Sequence, residues 1–131
     1  MKRHLITGLL LLIHAAVCYA ADDEEASATL SYYEIKPSLV ANLSSGGRYI
    51  RTDIQLMTYD EAFMESLDLH GPALRHTLLL LLSEQDGQTL KTAEGKEALR
   101  QQALTQVSEV MKQLSGQDSL QGLFFTTFFV Q

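Results

Sequence analysis

Residues 77–86 read TLLLLLSEQD, in which five consecutive leucines stand directly before polar residues. Five apolar residues are far too few to cross a bilayer, which excludes a transmembrane role for this run. On a helix, five successive positions at about 100° each occupy the whole circumference, so more than one side needs cover. One side can rest on a sheet. The other is covered either by a helix predicted over 93–114 or by a partner, for which the candidate interface is Leu78, Leu79, Leu80 and Leu82.

The chain has 131 residues, enough for one domain, and its first residues are predicted to be an export segment. Met1 to His4 is basic, Leu5 to Val17 is apolar, and Cys18-Tyr19-Ala20-Ala21 offers small residues to signal peptidase. Residues 1–20 are therefore predicted to be a signal peptide that is cleaved after Ala20. The alternative is a short uncleaved membrane anchor, because residues 5–21 just reach the minimum of about 17 residues for a span. In both cases the basic end stays in the cytoplasm and the rest is exported.

Residues 21–31 are acidic and rich in small side chains, and they are predicted to form a flexible linker. The lone cysteine, Cys18, lies in the leader, so the exported part has neither a disulfide nor a thiolate nucleophile. Losing the leader removes two of the ten Lys and Arg and none of the sixteen Asp and Glu, which leaves a formal charge of −8. A domain with this negative charge is poorly suited to bind nucleic acid, because the phosphate backbone is also negative.

Alternating apolar residues predict two strands at the start of the exported domain. The first begins at Tyr32, and Pro37 within it indicates a sheet edge or a bulge. Ser44-Ser45-Gly46-Gly47 is typical of a tight turn, so the two strands are predicted to form an antiparallel hairpin. The residues expected on the apolar faces are Tyr33, Ile35, Leu39, Ala41 and Leu43 in the first strand and Ile50, Thr52, Ile54 and Leu56 in the second.

Two helices are predicted after the hairpin. Thr58 and Glu61 form a capping-box pattern for a short helix that ends near Leu69. Pro72 suits the first turn of the leucine-rich helix, which continues to about Gln85. The dipeptide Asp86-Gly87 is predicted to end it, since Gly87 can adopt the left-handed conformation that closes a helix.

A longer amphipathic helix follows. Thr92 is its predicted cap, Glu94 lies in the first turn where the helix dipole favours an anion, and Gly116 with Asp118 ends it. Lys96 and Arg100 are expected on its polar side. The apolar stripe, at steps of three and four residues, consists of Leu99, Ala103, Val107, Val110, Met111 and Leu114.

The segment from Leu120 to Val130 is rich in Phe and Thr and is predicted to be the last strand. Simple alternation directs Phe125 and Phe129 to one face and Phe124 and Phe128 to the other. Because a strand that is apolar on both faces suits the middle of a sheet, this strand is predicted to be internal. Together the elements predict an α+β fold, in which a small mixed or antiparallel sheet packs with two to three helices.

Candidate catalytic and metal-binding groups do not form a site. His70 and His76 are six residues apart with Gly71-Pro72 between them, so no helix face presents both together with Glu84 and Asp86. Nothing apolar surrounds Glu84 and Asp86 to raise the pKa of one carboxyl, and a solvated helix end accounts for both. The sequence therefore predicts no enzyme, no metal, no cofactor and no catalytic residue.

The chain from about Tyr32 to Gln131 resembles the periplasmic domain of the FliL family of flagellar basal body-associated proteins. The stretches that carry the resemblance are YYEIKPSLVANL, GGRYIRTDIQLM, LLLLLSEQDGQTLKTAEGKEALRQQAL and the terminal FFTTFFVQ. Within them the matching positions are Leu82-Ser83, Leu90, Glu94-Gly95-Lys96, Leu99-Arg100 and Phe129-Val130-Gln131.

The resemblance implies a stomatin-like (SPFH) fold and a non-enzymatic accessory role in the flagellar motor. Family members lie at the inner membrane beside stator and basal-body proteins, support torque or switching of rotation, and can assemble into homo-oligomeric rings. The front of this chain departs from the family pattern, because only four residues precede the apolar stretch and a predicted cleavage site follows it. The alternative function is a soluble periplasmic binding or membrane-scaffold module unrelated to the flagellum.

Overall fold

Apolar alternation builds the hairpin with which the described part of the chain begins. The computed structural model describes residues 28–131. In chain order its elements are β1 (Ser31–Asn42), β2 (Tyr49–Thr58), α1 (Glu61–Leu69), α2 (Gly71–Ser83), α3 (Gly87–Leu90), α4 (Ala93–Ser115) and β3 (Gly122–Val130). The strands form one antiparallel sheet in the order β1-β2-β3. The α+β prediction is confirmed, and the sheet is antiparallel rather than mixed.

The hairpin of β1 and β2 is confirmed together with its inner face. Every second residue of β2 from Ile50 to Thr58 is buried, as alternation requires of a strand that packs on one side only. The pairing shifts between Ile35 and Leu39, where β1 contains two residues more than β2. An even number of extra residues keeps Ile35 and Leu39 on the same face, and both are buried. Pro37 lies in this irregular stretch of an edge strand, as predicted.

The last strand is at an edge of the sheet, so the prediction of an internal position is wrong. The central strand is β2, which pairs with both others. The predicted alternation in β3 is wrong as well, since Thr126 is an extra residue opposite the step from Asp53 to Ile54. One extra residue reverses the faces beyond it. The inner side chains are therefore Leu123, Phe125, Phe128 and Val130, and the outer ones include Phe124 and Phe129.

Helix α1 is capped by Asp60 and not by Thr58, which the capping-box pattern predicted. Its cap is Asp60, whose Oδ1 accepts from the Phe63 N–H at 3.3 Å. Thr58 ends β2 instead, where its hydroxyl donates to the Ser119 carbonyl at 2.7 Å and accepts from the Asp60 N–H at 3.1 Å. Because Thr58 is still part of strand β2, its side chain is not placed to cap α1, and the Asp60 carboxylate caps the helix instead. The predicted end of this helix near Leu69 is confirmed.

The leucine-rich helix α2 packs against β1 on one side and α4 on another, so the cover predicted from the 93–114 helix is confirmed. Four of its leucines enter the core along with residues from every other element of regular structure. The fully buried apolar side chains are Ile35, Leu39, Ile50, Ile54, Leu56, Phe63, Leu67, Leu74, Leu78, Leu81, Leu82, Leu90, Leu99, Ala103, Val107, Met111 and Leu123.

The connection after α2 differs from the prediction at one residue. Gly87 does not close α2 in a left-handed conformation; it is the first residue of α3, and only Gly46 and Gly116 among residues 28–131 have positive φ. Asp86 caps α3 by accepting from the Thr89 N–H at 2.9 Å. The predicted cap of α4 is confirmed, because the Thr92 hydroxyl accepts from the Gly95 N–H at 3.0 Å, and Gly116 ends that helix with φ of 70°.

The predicted leader, residues 1–20, lies outside the described residues, as does most of the predicted linker, residues 21–31. No helix in the range 28–131 has the length and apolarity that a membrane crossing requires.

Candidate interaction surface

The groups considered for metal binding do not converge. His70 lies at the junction of α1 and α2, where it ends one helix and precedes the other, and His76 is exposed on α2. Glu84 is the residue after α2 and is exposed. Within residues 28–131, no three His, Cys, Asp or Glu side chains come together in a way that could hold a metal ion.

Asp86 is engaged in a structural role. Its carboxylate accepts from the Thr89 N–H and from the Ser45 hydroxyl, the latter at 2.7 Å. These two hydrogen bonds, the backbone one first, lower the pKa of Asp86 below its ordinary value. The turn predicted at 44–47 is thereby attached to the α2–α3 connection, and backbone bonds from Ser44 N–H to the Gln85 carbonyl and from Gly87 N–H to the Ser45 carbonyl complete the attachment.

The four leucines of the candidate interface have different environments. Leu78 and Leu82 are 0% and 1% exposed, so these two are core residues and are removed from the candidate set. Leu79 is partly buried against the core, whereas Leu80 is 52% exposed. The candidate interface is therefore reduced to a surface centred on Leu80, because the other sides of α2 pack inside the domain.

The outer face of the sheet carries a second group of accessible apolar side chains, which sequence reasoning missed. Tyr32 and Val40 of β1 and Phe124 and Phe129 of β3 are each 41–56% exposed. The Phe129 ring lies 6.2 Å from the ring of Tyr49 on the neighbouring strand. Apolar alternation identifies which residues share a face, but the bulge at Thr126 decides that Phe124 and Phe129 are on the outer one.

A groove runs between β3 and the first half of α4. Its volume is 390 Å³, and its lining is mostly apolar, from Ala93, Lys96, Glu97, Arg100, Phe124, Phe125 and Phe128. Phe125 and Phe128 contact each other edge to face, with ring centroids 5.0 Å apart. The Lys96 ammonium lies 5.2 Å from the centre of the Phe128 ring, within the range of a cation–π interaction.

The charged rim of this groove is held by one ion pair. Arg100 donates from Nη2 and Nε to the two carboxylate oxygens of Glu97 at 2.6 and 2.7 Å. The hydrogen bond from Arg100 lowers the pKa of Glu97 to about 2, and the same bond raises the pKa of Arg100. Glu97 therefore stays ionised at any ordinary pH. Lys96 has no ion-pair partner among residues 28–131, so the rim keeps one uncompensated positive charge.

The groove lies beside the unpaired edge of β3. In the described part of the chain, β3 pairs with β2 alone, which leaves its other edge without a strand. Arg100 Nη1 donates to the Leu123 carbonyl at 3.4 Å, at the beginning of that edge. The sequence GLFFTTFFV contains no charge and no proline, two of the usual protections of an edge strand, and its one irregularity is the bulge at Thr126. Such an edge is suited to pairing with another strand.

Sequence reasoning singled out the phenylalanines, Lys96 and Arg100 of the groove, but neither Ala93 and Glu97 nor the arrangement of the group. Lys96 and Arg100 were expected on the polar side of the long helix, and the phenylalanines were expected inside the sheet. The signal that could have found the site is the co-occurrence of a charge-free terminal strand and the Thr-Thr pair at its middle, a place where a bulge is tolerated.

Comparisons with known proteins agree on one family. The profile of the family described as "Flagellar basal body-associated protein FliL" matches residues 32–131. A protein named "Flagellar protein FliL" from Escherichia coli (strain K12) is 28% identical over an alignment 145 positions long, covering 99% of this chain and 94% of that protein, and one from Shigella flexneri has the same values. One from Aquifex aeolicus (strain VF5) is 21% identical over 101 residues, covering 76% of this chain and 60% of that protein.

Because the family profile spans the whole run from β1 to β3, the chain described above belongs to the FliL family of flagellar basal body-associated proteins.

Proposed function

We propose that this protein is a non-enzymatic accessory component of the flagellar base that supports stator function and control of rotation through protein–protein contacts. The observation that carries the proposal is the unpaired, charge-free edge of β3 with its adjoining groove, on a domain whose profile is that of a basal-body family. An open edge and exposed apolar side chains favour binding of other proteins rather than chemistry on a small molecule.

The proposed location is the periplasmic side of the inner membrane, at the flagellar base. If the leader is retained, residues 1–20 act there as a membrane anchor, residues 21–31 as a linker and residues 32–131 as the periplasmic domain. If the leader is cleaved after Ala20, the product is a soluble periplasmic protein, and it loses the high local concentration that tethering gives. Stator and basal-body proteins are the proposed partners. A stomatin-like arrangement of several copies in a ring is part of the same proposal.

A deletion strain tests the motor assignment. Loss of the protein is expected to reduce swimming in soft agar and, more strongly, in medium of raised viscosity, where the motor works at high load. Re-expression of the wild-type chain is the control and should restore both. Unchanged motility under both conditions would contradict the motor assignment and favour the alternative of a periplasmic binding or scaffold module outside the flagellum.

N-terminal sequencing of the mature protein tests the location. A chain that starts at Ala21 is the free periplasmic product, whereas an intact Met1 establishes the anchored form. The charge of the leader predicts the same orientation in both cases.

Leu80 is the proposed centre of contact between copies. Leu80→Asp is expected to lower the yield of chemically cross-linked oligomers, because a carboxylate at an apolar contact must be desolvated. Leu69→Asp is the matched control, since Leu69 is 75% exposed on α1 and is outside the proposed contact. Equal oligomer yields for the two variants would contradict the role of Leu80.

A further inference from the structure

We infer that the edge of β3 after Leu123, together with the groove beside it, takes an extended segment of a partner protein that is apolar at alternate positions and carries a carboxylate. The inference rests on the proposed function in one respect only, that the protein acts by binding other proteins. It adds the conformation and the chemistry of what is bound.

The backbone of β3 determines the conformation. An unpaired strand edge presents a row of N–H and C=O groups, and an extended segment can satisfy them by adding one strand to the sheet. At the start of this edge the Leu123 carbonyl already accepts from Arg100. The free part therefore begins at Phe124 and continues to Val130, long enough for a partner strand of ordinary length that accommodates the single bulge at Thr126.

The groove determines the side-chain pattern. Side chains of an added strand alternate between the two faces of the sheet, so every second one would point to the inner face, between β3 and α4. On that side Phe125 and Phe128 offer an apolar wall, and Ala93 adds to it from α4. The volume of 390 Å³ lies within the range of about 300–1,000 Å³ that holds small ligands, so it has room for apolar side chains.

The rim determines the charge. Arg100 is neutralised by Glu97, but Lys96 forms no ion pair with any described residue and lies above the Phe128 ring. An Asp or Glu of the bound segment near Phe128 would complete a pair there. The chain as a whole is acidic, with a formal net charge of −6, so this basic point is a local exception rather than part of a general attraction for anions.

A second copy of this chain fits the site less well than a different protein. The sequence of β3 contains no Asp or Glu, so a β3–β3 pair would bring no carboxylate to Lys96. The other edge strand, β1, is interrupted by Pro37 and by two extra residues, which prevents a continuous ladder. These features favour a heterologous partner at this edge.

The inference is tested by selecting phage-displayed random twelve-residue peptides that bind the purified mature protein. We expect enriched sequences with apolar residues at every second position and at least one Asp or Glu. Binding of a synthetic consensus peptide is then measured by fluorescence anisotropy.

Lys96→Glu should weaken the affinity for this peptide by about tenfold, because the attraction between Lys96 and the peptide carboxylate becomes a repulsion. Lys91→Glu is the charge-matched control at an exposed position outside the groove, and should change binding by less than about twofold.

Two forms of the consensus peptide, N-methylated at the odd or at the even residues, test strand addition. Only one set of N–H groups can face β3, so one form should lose binding and the other should keep it. The inference is overturned if no consensus is enriched, if the consensus lacks alternation or acid, if Lys91→Glu weakens binding as much as Lys96→Glu, or if methylation of either set has the same effect. Sedimentation adds one further outcome, since a dimer that the peptide dissociates would make the occupant a second copy and overturn the heterologous assignment.

These results are independent of motility. Peptide binding without a motility defect in the deletion strain would contradict the motor assignment alone. A motility defect without peptide binding would contradict this inference alone.

Discussion

The two edges of the sheet are built in opposite ways. The edge of β1 carries charges that pair with each other, with Lys36 Nζ 3.0 Å from Glu34 Oε2, and Pro37 and two extra residues interrupt its ladder. The edge of β3 carries no charge and no proline, and its one bulge lies at Thr126. Natural sheets protect exposed edges with charges, prolines and bulges, so β1 is protected and β3 mostly is not.

The contacts of the two edges with the helices extend the difference. Arg75 of α2 donates to the Pro37 carbonyl, and the turn after β1 is attached to the α2–α3 connection through Ser45 and Asp86. On the β3 side the polar contacts with α4 are the hydrogen bond of Arg100 to the Leu123 carbonyl and the cation–π contact of Lys96 with Phe128. The comparison indicates that β1 closes the domain structurally, whereas β3 is left available for binding.

Removing a core contact of β1 should have the largest effect. Leu39→Ala is expected to destabilise the protein by about 2–5 kcal/mol, because Leu39 is fully buried where β1 meets the helices and its loss leaves a cavity. Urea denaturation measures the change. Val40→Ala, on the outer face at 56% exposure, is the control and should change stability by less than about 0.5 kcal/mol. Similar losses for both variants would mean that β1 is not fastened through its inner face.

The attachment of the hairpin turn should have the next largest effect. Gly46→Ala places a Cβ against Asp86 Oδ2 and 2.8 Å from the Gln88 N, at a φ of 67° that is unfavourable for alanine. Gly116→Ala is the matched control, since its φ is 70° and no atom lies within 4 Å of the added Cβ. The control should cost about 1–2 kcal/mol from backbone strain, and Gly46→Ala should cost more. Thermal unfolding compares them, and equal losses would show that contact with Asp86 adds nothing.

Adding a charge to the edge of β3, or removing the charges from the edge of β1, should alter self-association more than stability. Phe129→Lys adds a charge to β3 and is expected to reduce light scattering of concentrated protein during partial unfolding. The double change Glu34→Val and Lys36→Val removes the charges of β1 and should increase it. Circular dichroism of each variant at low concentration controls for folding. If both changes leave scattering as in the wild type, the contrast between the edges has no consequence for association.

The smallest effect is a titration at the rim of the groove. Hydrogen bonding to Arg100 holds the pKa of Glu97 at about 2, against an ordinary value of 4.5. The folded-state pKa is lowered, so the stabilisation is complete above pH 4.5 and is lost as the pH falls towards 2. NMR titration of Arg100→Gln should show the Glu97 pKa moving back up. Lys112→Gln, which removes a cation elsewhere on α4, should leave it in place. An unmoved Glu97 pKa in Arg100→Gln would exclude the pair as its cause.

Much of the fold could be predicted from local patterns. The hairpin, its inner face, the position of Pro37 at an irregular edge, the Thr92 cap and the end of α4 at Gly116 are all confirmed. Each depends on residues near one another in sequence, where alternation, turn chemistry and capping act directly. The family resemblance is confirmed as well.

The predictions that were wrong concern residues whose hydrogen bonds or packing involve partners distant in sequence. Thr58 remains in the strand because the Ser119 carbonyl, distant in sequence, accepts its hydroxyl, and Asp60 caps the helix instead. Gly87 begins a helix because the β1–β2 turn bonds to its N–H. In the candidate interface, Leu78 and Leu82 are buried while Leu80 is exposed, a distinction that five identical residues cannot encode in their own pattern.

By itself the sequence determined the strands and the three longer helices, the acidic character of the chain and its family, because periodicity, charge and motifs are properties of neighbouring residues. The tertiary structure alone decided that β3 lies at an edge and that Phe125 and Phe128 share a groove with Lys96. Strand order and bulges depend on which distant backbones exchange hydrogen bonds, and one inserted residue reverses every side chain beyond it. The surface proposed for binding exists only through that pairing.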